Sequence, residues 1–280
     1  DIVHHNVAQV PLAKNNFLFR SVNYEGVKNI LKASLKNDVK KVIYTSSSAV
    51  FGVPKENPVT EFTEPSPAED YGQAKYDGEL LCKEYREKGL DISIIRPRTI
   101  LGHGRLGIFQ ILFEWIYLGR NIPVFDGGHN IYQFVHADDL AEACILAGEK
   151  SGFNIFNCGT DNYGTMKEAL EQLCLHAGTG SKVKSVPMKP AVLGMKIFSK
   201  LGLSPLGAYH ALMYGKSMYF DLKKCKTELN WVPEKSNIDM FKDSYDWYVN
   251  NRELILSSKG RSHHKSPVRE GILSLVSKLL

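Results

Sequence analysis

Lys41-Val42-Ile43-Tyr44-Thr45-Ser46-Ser47-Ser48, followed beyond a proline-bearing loop by Tyr71-Gly72-Gln73-Ala74-Lys75, decides how this 280-residue chain is read. An apolar, β-branched run that ends in a cluster of hydroxyls reads as a buried strand with polar groups at its end. Past Pro67 the pattern turns helical: Tyr71, Lys75, Cys82 and Tyr85 recur at helical spacing, and Gly89 is a stop signal. Tyr71 and Lys75 are four residues apart, so they share one helix face. A strand-end hydroxyl facing such a pair is a proton-transfer constellation.

Magnitudes support that reading. A free tyrosine titrates near ~10, and work as a base near neutrality needs a fall of about 3, worth about 4 kcal/mol. An ammonium at about 4 Å contributes roughly that much at an effective dielectric of ~20. A neighbouring serine can hydrogen-bond the reacting oxygen and hold it against the tyrosine.

Thr45-Ser46-Ser47-Ser48-Ala49-Val50-Phe51-Gly52, then Tyr71-Gly72-Gln73-Ala74-Lys75, then Arg96-Pro97, resemble the extended short-chain dehydrogenase/reductases. Within them they resemble the NAD-dependent epimerase/dehydratase branch that acts on nucleotide sugars. In that family the tyrosine is the acid/base, the lysine lowers its pKa and binds the nicotinamide ribose, and a Ser or Thr completes the triad. The resemblance puts the catalytic groups at Ser47, Tyr71 and Lys75, with Ser46 and Ser48 as neighbours open to the same role. It implies NAD or NADP as cofactor, NAD favoured. Val7, Ala8, Asn23, Ser46, Tyr71, Lys75, Pro97 and Arg98 would line the cofactor, and Ser48, Thr99, Arg105 and Arg120 the substrate.

Family members carry a glycine-rich turn and an acidic ribose-binding residue upstream of the first strand seen here, Ile2-Val3-His4-His5. The expectation is a fragment lacking its first two βα units, one that binds cofactor poorly. The alternative is a short paralogue that has lost cofactor binding. Gly102-His103-Gly104-Arg105-Leu106-Gly107 follows the Tyr/Lys pair, so it reads as a loop beside nicotinamide and substrate, not as the dinucleotide turn.

Elsewhere His5-Asn6-Val7-Ala8-Gln9-Val10 resembles the family's strand exit, and Asn23 its wall-ordering asparagine. Asp91 to Arg96 reads as a strand that stops at Pro97, which cannot donate to a ladder. Ile108 to Leu118 is a very apolar helix. Tyr132 to Leu140 resembles a family segment that often carries a diphosphate-gripping arginine, and Asn130-Ile131-Tyr132 lacks it. Asp138 is an N-cap candidate for a helix from Leu140. Gly178 to Pro190 reads as a mobile link, and Leu229-Asn230-Trp231-Val232-Pro233 resembles a C-terminal family motif.

The expected fold is α/β: a Rossmann-like doubly wound parallel sheet, truncated at its N-terminal side, with a smaller α/β substrate-binding lobe. Residues 1–98, rejoined by 133–160, would form the cofactor domain, and 99–132 with 161–280 the lobe and C-terminal helices. The five cysteines are scattered without C-x-x-C spacing, which favours reduced thiols in a cytoplasmic protein and no metal site. No apolar run reaches the ~18 residues of a membrane span. Most of the formal charge of +5 lies beyond Asn250, so the body offers no basic face for nucleic acid. The basic tail leaves contact with RNA or anionic lipid as a minor alternative, and Ile272-Leu273, Leu275-Val276 and Leu279-Leu280 can form one amphipathic stripe.

The leading functional expectation is an NAD(P)-dependent epimerase, dehydratase or reductase of a nucleotide-activated sugar. A second reading keeps the chemistry but takes a hydrophobic alcohol, as in the 3β-hydroxysteroid dehydrogenase-like branch; the apolar helix and the missing arginine favour it. A third is a non-catalytic cofactor-sensing or scaffold protein, against which the retained Tyr71 and Lys75 argue. The oligomeric state stays open, with a homodimer as one option.

Overall fold

The structure is a computed structural model that describes residues 1–9, 20–200 and 213–257. Val10 and the C-terminal apolar stripe, together with most of the basic tail, lie outside those residues. In chain order the strands are β1 (Ile2–His5), β2 (Lys41–Thr45), β3 (Ile92–Pro97), β4 (Thr99–Leu101), β5 (Ile122–Phe125), β6 (Ile131–Tyr132), β7 (Phe134–His136), β8 (Asn154–Cys158), β9 (Gly164–Thr165) and β10 (Val183–Val186). The α-helices are α1 (Val27–Lys36), α2 (Asp70–Glu87), α3 (Phe109–Tyr117), α4 (Ala137–Glu149), α5 (Met166–Ala177), α6 (Met188–Lys200), α7 (Lys223–Leu229) and α8 (Asn237–Ser257). The chain divides into two compact units.

The first unit holds Asp1–Thr99, Asp138–Asp161 and Met218–Glu234. Its sheet runs β1-β2-β3-β8, every pair parallel. Alternate residues of each strand face opposite sides. Val42, Tyr44, Ile92 and Ile94 pack with Val27 and Leu31 of α1 and with Leu81, Cys82 and Tyr85 of α2. On the other side Gly148 of α4 lies against Ile2 and His4. Helices therefore cover both faces of a parallel sheet, the doubly wound arrangement, which buries the strands and explains their continuous apolar runs.

Met218–Glu234 belongs with this unit, not with the lobe expected from the sequence. The backbone of Val59 hydrogen-bonds Tyr219 and Asp221, Cys225 lies 3.8 Å from Cys158, and the indole of Trp231 donates to the Asp139 carbonyl. Residues 133–137 move the opposite way, into the second unit.

The second unit holds Ile100–Ala137, Asn162–Ser217 and the chain from Lys235 on. Its described strands form three pairs: β5 with β10, β4 with β7 and β6 with β9. Phe109, Phe134 and Phe241 meet edge to face with centroids 5.0 to 5.5 Å apart, and Phe113, Trp115 and Ile116 are buried in the same core. The apolar character of α3 is thus taken up by this unit's own packing. Two local expectations are corrected. Val183–Val186 is a strand paired in parallel with β5, not a mobile link. Asp138 lies in the first turn of α4, which begins at Ala137, so its charge meets the helix's positive end from inside and is not an N-cap.

Candidate active site

The carboxyl ends of β1, β2 and β3 gather the polar groups of the first unit. At the end of β2 each hydroxyl has a different occupation. Thr45 donates to Asn6 Oδ1 at 2.6 Å, and Ser46 donates to Glu79 Oε1 at 2.6 Å. Ser48 accepts from Arg98 Nη1 at 2.8 Å. Ser47 sits in extended backbone and caps the 3₁₀ turn Ser48–Phe51, its Oγ accepting from Ala49 N at 3.2 Å. Ser46 and Ser48 are buried, whereas Ser47 is half-buried. Among the described residues its O–H is donated to no partner.

The first turn of α2 is held against that 3₁₀ turn. Glu69 caps the helix, its carboxylate accepting from Tyr71 N at 2.8 Å and Gly72 N at 2.6 Å. Burial raises the Glu69 pKa and these two bonds oppose the rise. A Cβ on Gly72 would collide with the Ala49 carbonyl oxygen, so only glycine lets α2 rest directly on the turn that Ser47 caps. That backbone contact brings the first turn of α2, which carries half-buried Tyr71, onto the turn that follows β2.

One turn on, Lys75 is 4% exposed. Its Nζ donates to the Thr45 carbonyl at 2.8 Å and lies 5.2 Å from the centre of the Tyr44 ring. Burial pushes its pKa down to about 8, with the charges of Glu79 and Cys82 acting the other way. His5 of β1 stacks on Tyr44, and its pKa is lowered by burial and then by the Lys75 charge. Gly78 leaves room for the Tyr44 hydroxyl, since a Cβ there would collide with it.

The remaining expected residues fall into three groups. Val7 and Ala8 leave β1 on the open side, Val7 being 67% exposed, and Pro97 ends β3 opposite Cys158. Asn23 lies in a π-helical turn, Ser21–Gly26, and clamps the backbone of Gln9 through both amide atoms at 2.7 and 2.9 Å. It therefore orders the exit of β1 from beneath. Arg98 is 1% exposed, and its Nη1 donates to Ser48 Oγ at 2.8 Å and to Met218 Sδ at 3.3 Å. The Ser48 hydroxyl is engaged in the same link. Thr99 is half-buried at the end of the first unit, while Arg105 and Arg120 belong to the second, where Arg120 acts electrostatically on Glu114.

Sequence reasoning missed Glu69, Asn6 and Glu79. Glu79 had a signal: it stands four residues beyond Lys75 and eight beyond Tyr71, a charge on a stripe that otherwise turns inward. Asn6 had none, because its partner is 39 residues away.

A parallel sheet wound on both faces, with hydroxyl, phenol and ammonium groups at the strands' carboxyl ends, is an α/β architecture with its ligand crevice at that edge. Residues 2–159 match the model of the NAD dependent epimerase/dehydratase family. The chain belongs to this family of enzymes. A Sinorhizobium fredii protein described as uncharacterized protein y4nG is 54% identical over 277 residues, 99% of this chain and 70% of its own length. The UDP-glucuronate 4-epimerase of Thermodesulfobacterium geofontis is 28% identical over 254 residues, 88% of this chain and 71% of its own. A crystal structure of UDP-glucuronic acid 4-epimerase from Bacillus cereus in complex with NAD matches with a TM-score of 0.73 at 22% identity, covering 89% of this chain and 74% of that one. That likeness is one of fold.

Proposed function

We propose that the protein interconverts or dehydrates a nucleotide-activated sugar, with NAD as the favoured cofactor and Ser47, Tyr71 and Lys75 as the reacting side chains. The observation that supports this reading is the contact of Gly72, the residue after Tyr71, with the Ala49 carbonyl of the turn that Ser47 caps, together with the buried Lys75 ammonium on the same helix. Ser47 has an undonated O–H among the described residues, so it can hold a substrate oxygen. Tyr71 then exchanges a proton with that oxygen, and the Lys75 charge favours the phenolate.

The residues fit the nicotinamide end of the cofactor. Lys75 has three N–H donors and gives one to Thr45, which leaves two for ribose hydroxyls. Val7 and Ala8 offer a small, accessible surface at the β1 exit. NAD, when bound, supplies reversible hydride exchange with the carbon that bears the reacting oxygen. The relatives' substrates, UDP-glucuronate among them, indicate the class. The hydrophobic-alcohol reading loses its main support, since α3 fills the core of its own unit.

The test is turnover of UDP-glucuronate, UDP-glucose and dTDP-glucose with NAD, followed by proton NMR. Tyr71→Phe removes the ionisable oxygen and keeps the ring, and should lower kcat by ~10²-fold or more with cofactor affinity retained. Ser47→Ala should mainly lower kcat. Full activity of Tyr71→Phe on a sugar that the parent converts ends the assignment.

A further inference from the structure

We propose that Glu79 is a positioning residue for the triad: it holds Ser46, and through it the Ser47 hydroxyl, and sets its negative charge beside the Lys75 ammonium. The proposal rests on the function proposed above. Glu79 is 0% exposed. Its Oε1 accepts from Ser46 Oγ at 2.6 Å and from Arg96 Nε at 2.9 Å, and its Oε2 accepts from Arg96 Nη2 at 2.6 Å. One carboxylate thus joins the end of β2, the end of β3 and the helix that carries Tyr71 and Lys75. The Arg96 guanidinium also lies 5.0 Å from the ring of Phe51, at the far end of the 3₁₀ turn that Ser47 caps. Ser47 is therefore flanked by the same network on both sides, at Ser46 and at Phe51.

Stability alone is a poor reason for such an arrangement. Apolar residues of similar volume often replace a buried ion pair without loss, whereas removal of one partner leaves an uncompensated charge. A role toward the neighbouring ammonium gives the pair a reason to be there. Lys75 is faced by His5 from β1, by Tyr44 from β2, and by Glu79 and Cys82 from its own helix. Of these, the Glu79 charge does most to favour the charged lysine against burial. Below its own titration Lys75 then offers the phenolate of Tyr71 a counter-charge.

The test follows Lys75 directly, by NMR titration of lysine ¹³Cε and ¹⁵Nζ in the full chain, with the Lys75 signal assigned by its loss in Lys75→Arg. Glu79→Gln removes the charge while keeping an oxygen that accepts from Ser46, and Glu79→Asp keeps the charge with a shorter reach, so the two separate charge from shape. The parent should titrate at about 8. Glu79→Gln should titrate lower by on the order of one pH unit, and Glu79→Asp should stay close to the parent. Ser46→Ala, which keeps the ion pair, should leave that midpoint in place while lowering kcat at unchanged KM. An unmoved Lys75 midpoint in a folded charge-removing variant overturns the proposal and leaves Glu79 as a structural ion pair. Because the titration needs neither substrate nor cofactor, failure of the sugar assays would not mimic that result.

Discussion

Lys75→Met should change how the stability of the protein depends on pH, and the size of the change follows from the burial of one ammonium. Burial pushes the Lys75 pKa down from 10.5 to about 8. A base whose folded pKa is depressed binds fewer protons folded than unfolded between the two values, so stability rises with pH across that window. Below about 8 both states carry the charge, and the folded state bears the full desolvation penalty. Above 10.5 both states are neutral and the penalty is gone. The gap is worth about 3 kcal/mol, and most of it is recovered by pH 10. Lys75→Met also loses the bond to the Thr45 carbonyl, a contribution independent of pH. The informative quantity is therefore the parent-minus-variant difference in unfolding free energy, measured by urea denaturation at intervals from pH 7 to pH 10. The parent should gain on the variant by roughly 2 to 3 kcal/mol over that range. A difference that stays flat within error would refute the reasoning and mean that the lysine titrates as if it were in water.

Two further outcomes follow from the packing. Gly72→Ala should destabilise the protein by about 1–3 kcal/mol and lower kcat, although alanine is the better helix former, because its Cβ meets the Ala49 backbone oxygen, which cannot swing aside as a side chain can; thermal unfolding and turnover of the variant check both. Phe113→Ala should remove about 3–5 kcal/mol from the second unit's core while leaving the Lys75 titration where it was, since Phe113 packs among Phe241, Tyr245 and Tyr248; denaturation and the lysine NMR signal read the two effects separately.

Much of the first unit was legible in the chain itself. The apolar runs of β2 and β3, the turn spacing of Tyr71, Lys75, Cys82 and Tyr85, and the stop at Gly89 all reappear in the structure. They are local signals, set by side-chain periodicity and by the backbone freedom of glycine, whose φ is +95° at position 89. The apolar helix α3 was legible as a helix but misleading as a clue to substrate. Periodicity reports that a face is buried, not what buries it. The 183–186 strand was hidden because Lys184 and Ser185 are exposed and the stretch reads as polar.

By itself the sequence determined the fold class, the strand-end serines and the Tyr/Lys face, because each depends on residues close together in the chain. Only the tertiary structure shows how the serines differ in their partners. Ser46 and Ser48 are drawn inward by Glu79 and Arg98, partners 33 and 50 residues away, and Ser47 is left half-exposed with its O–H available. Tertiary contacts likewise join Arg98 to Ser48, 50 residues away, and bring residues 218–234 back to the sheet at Val59, Cys158 and Asp139. Such pairings depend on which polar groups lose water together when strands and helices close, and no spacing along the chain encodes that.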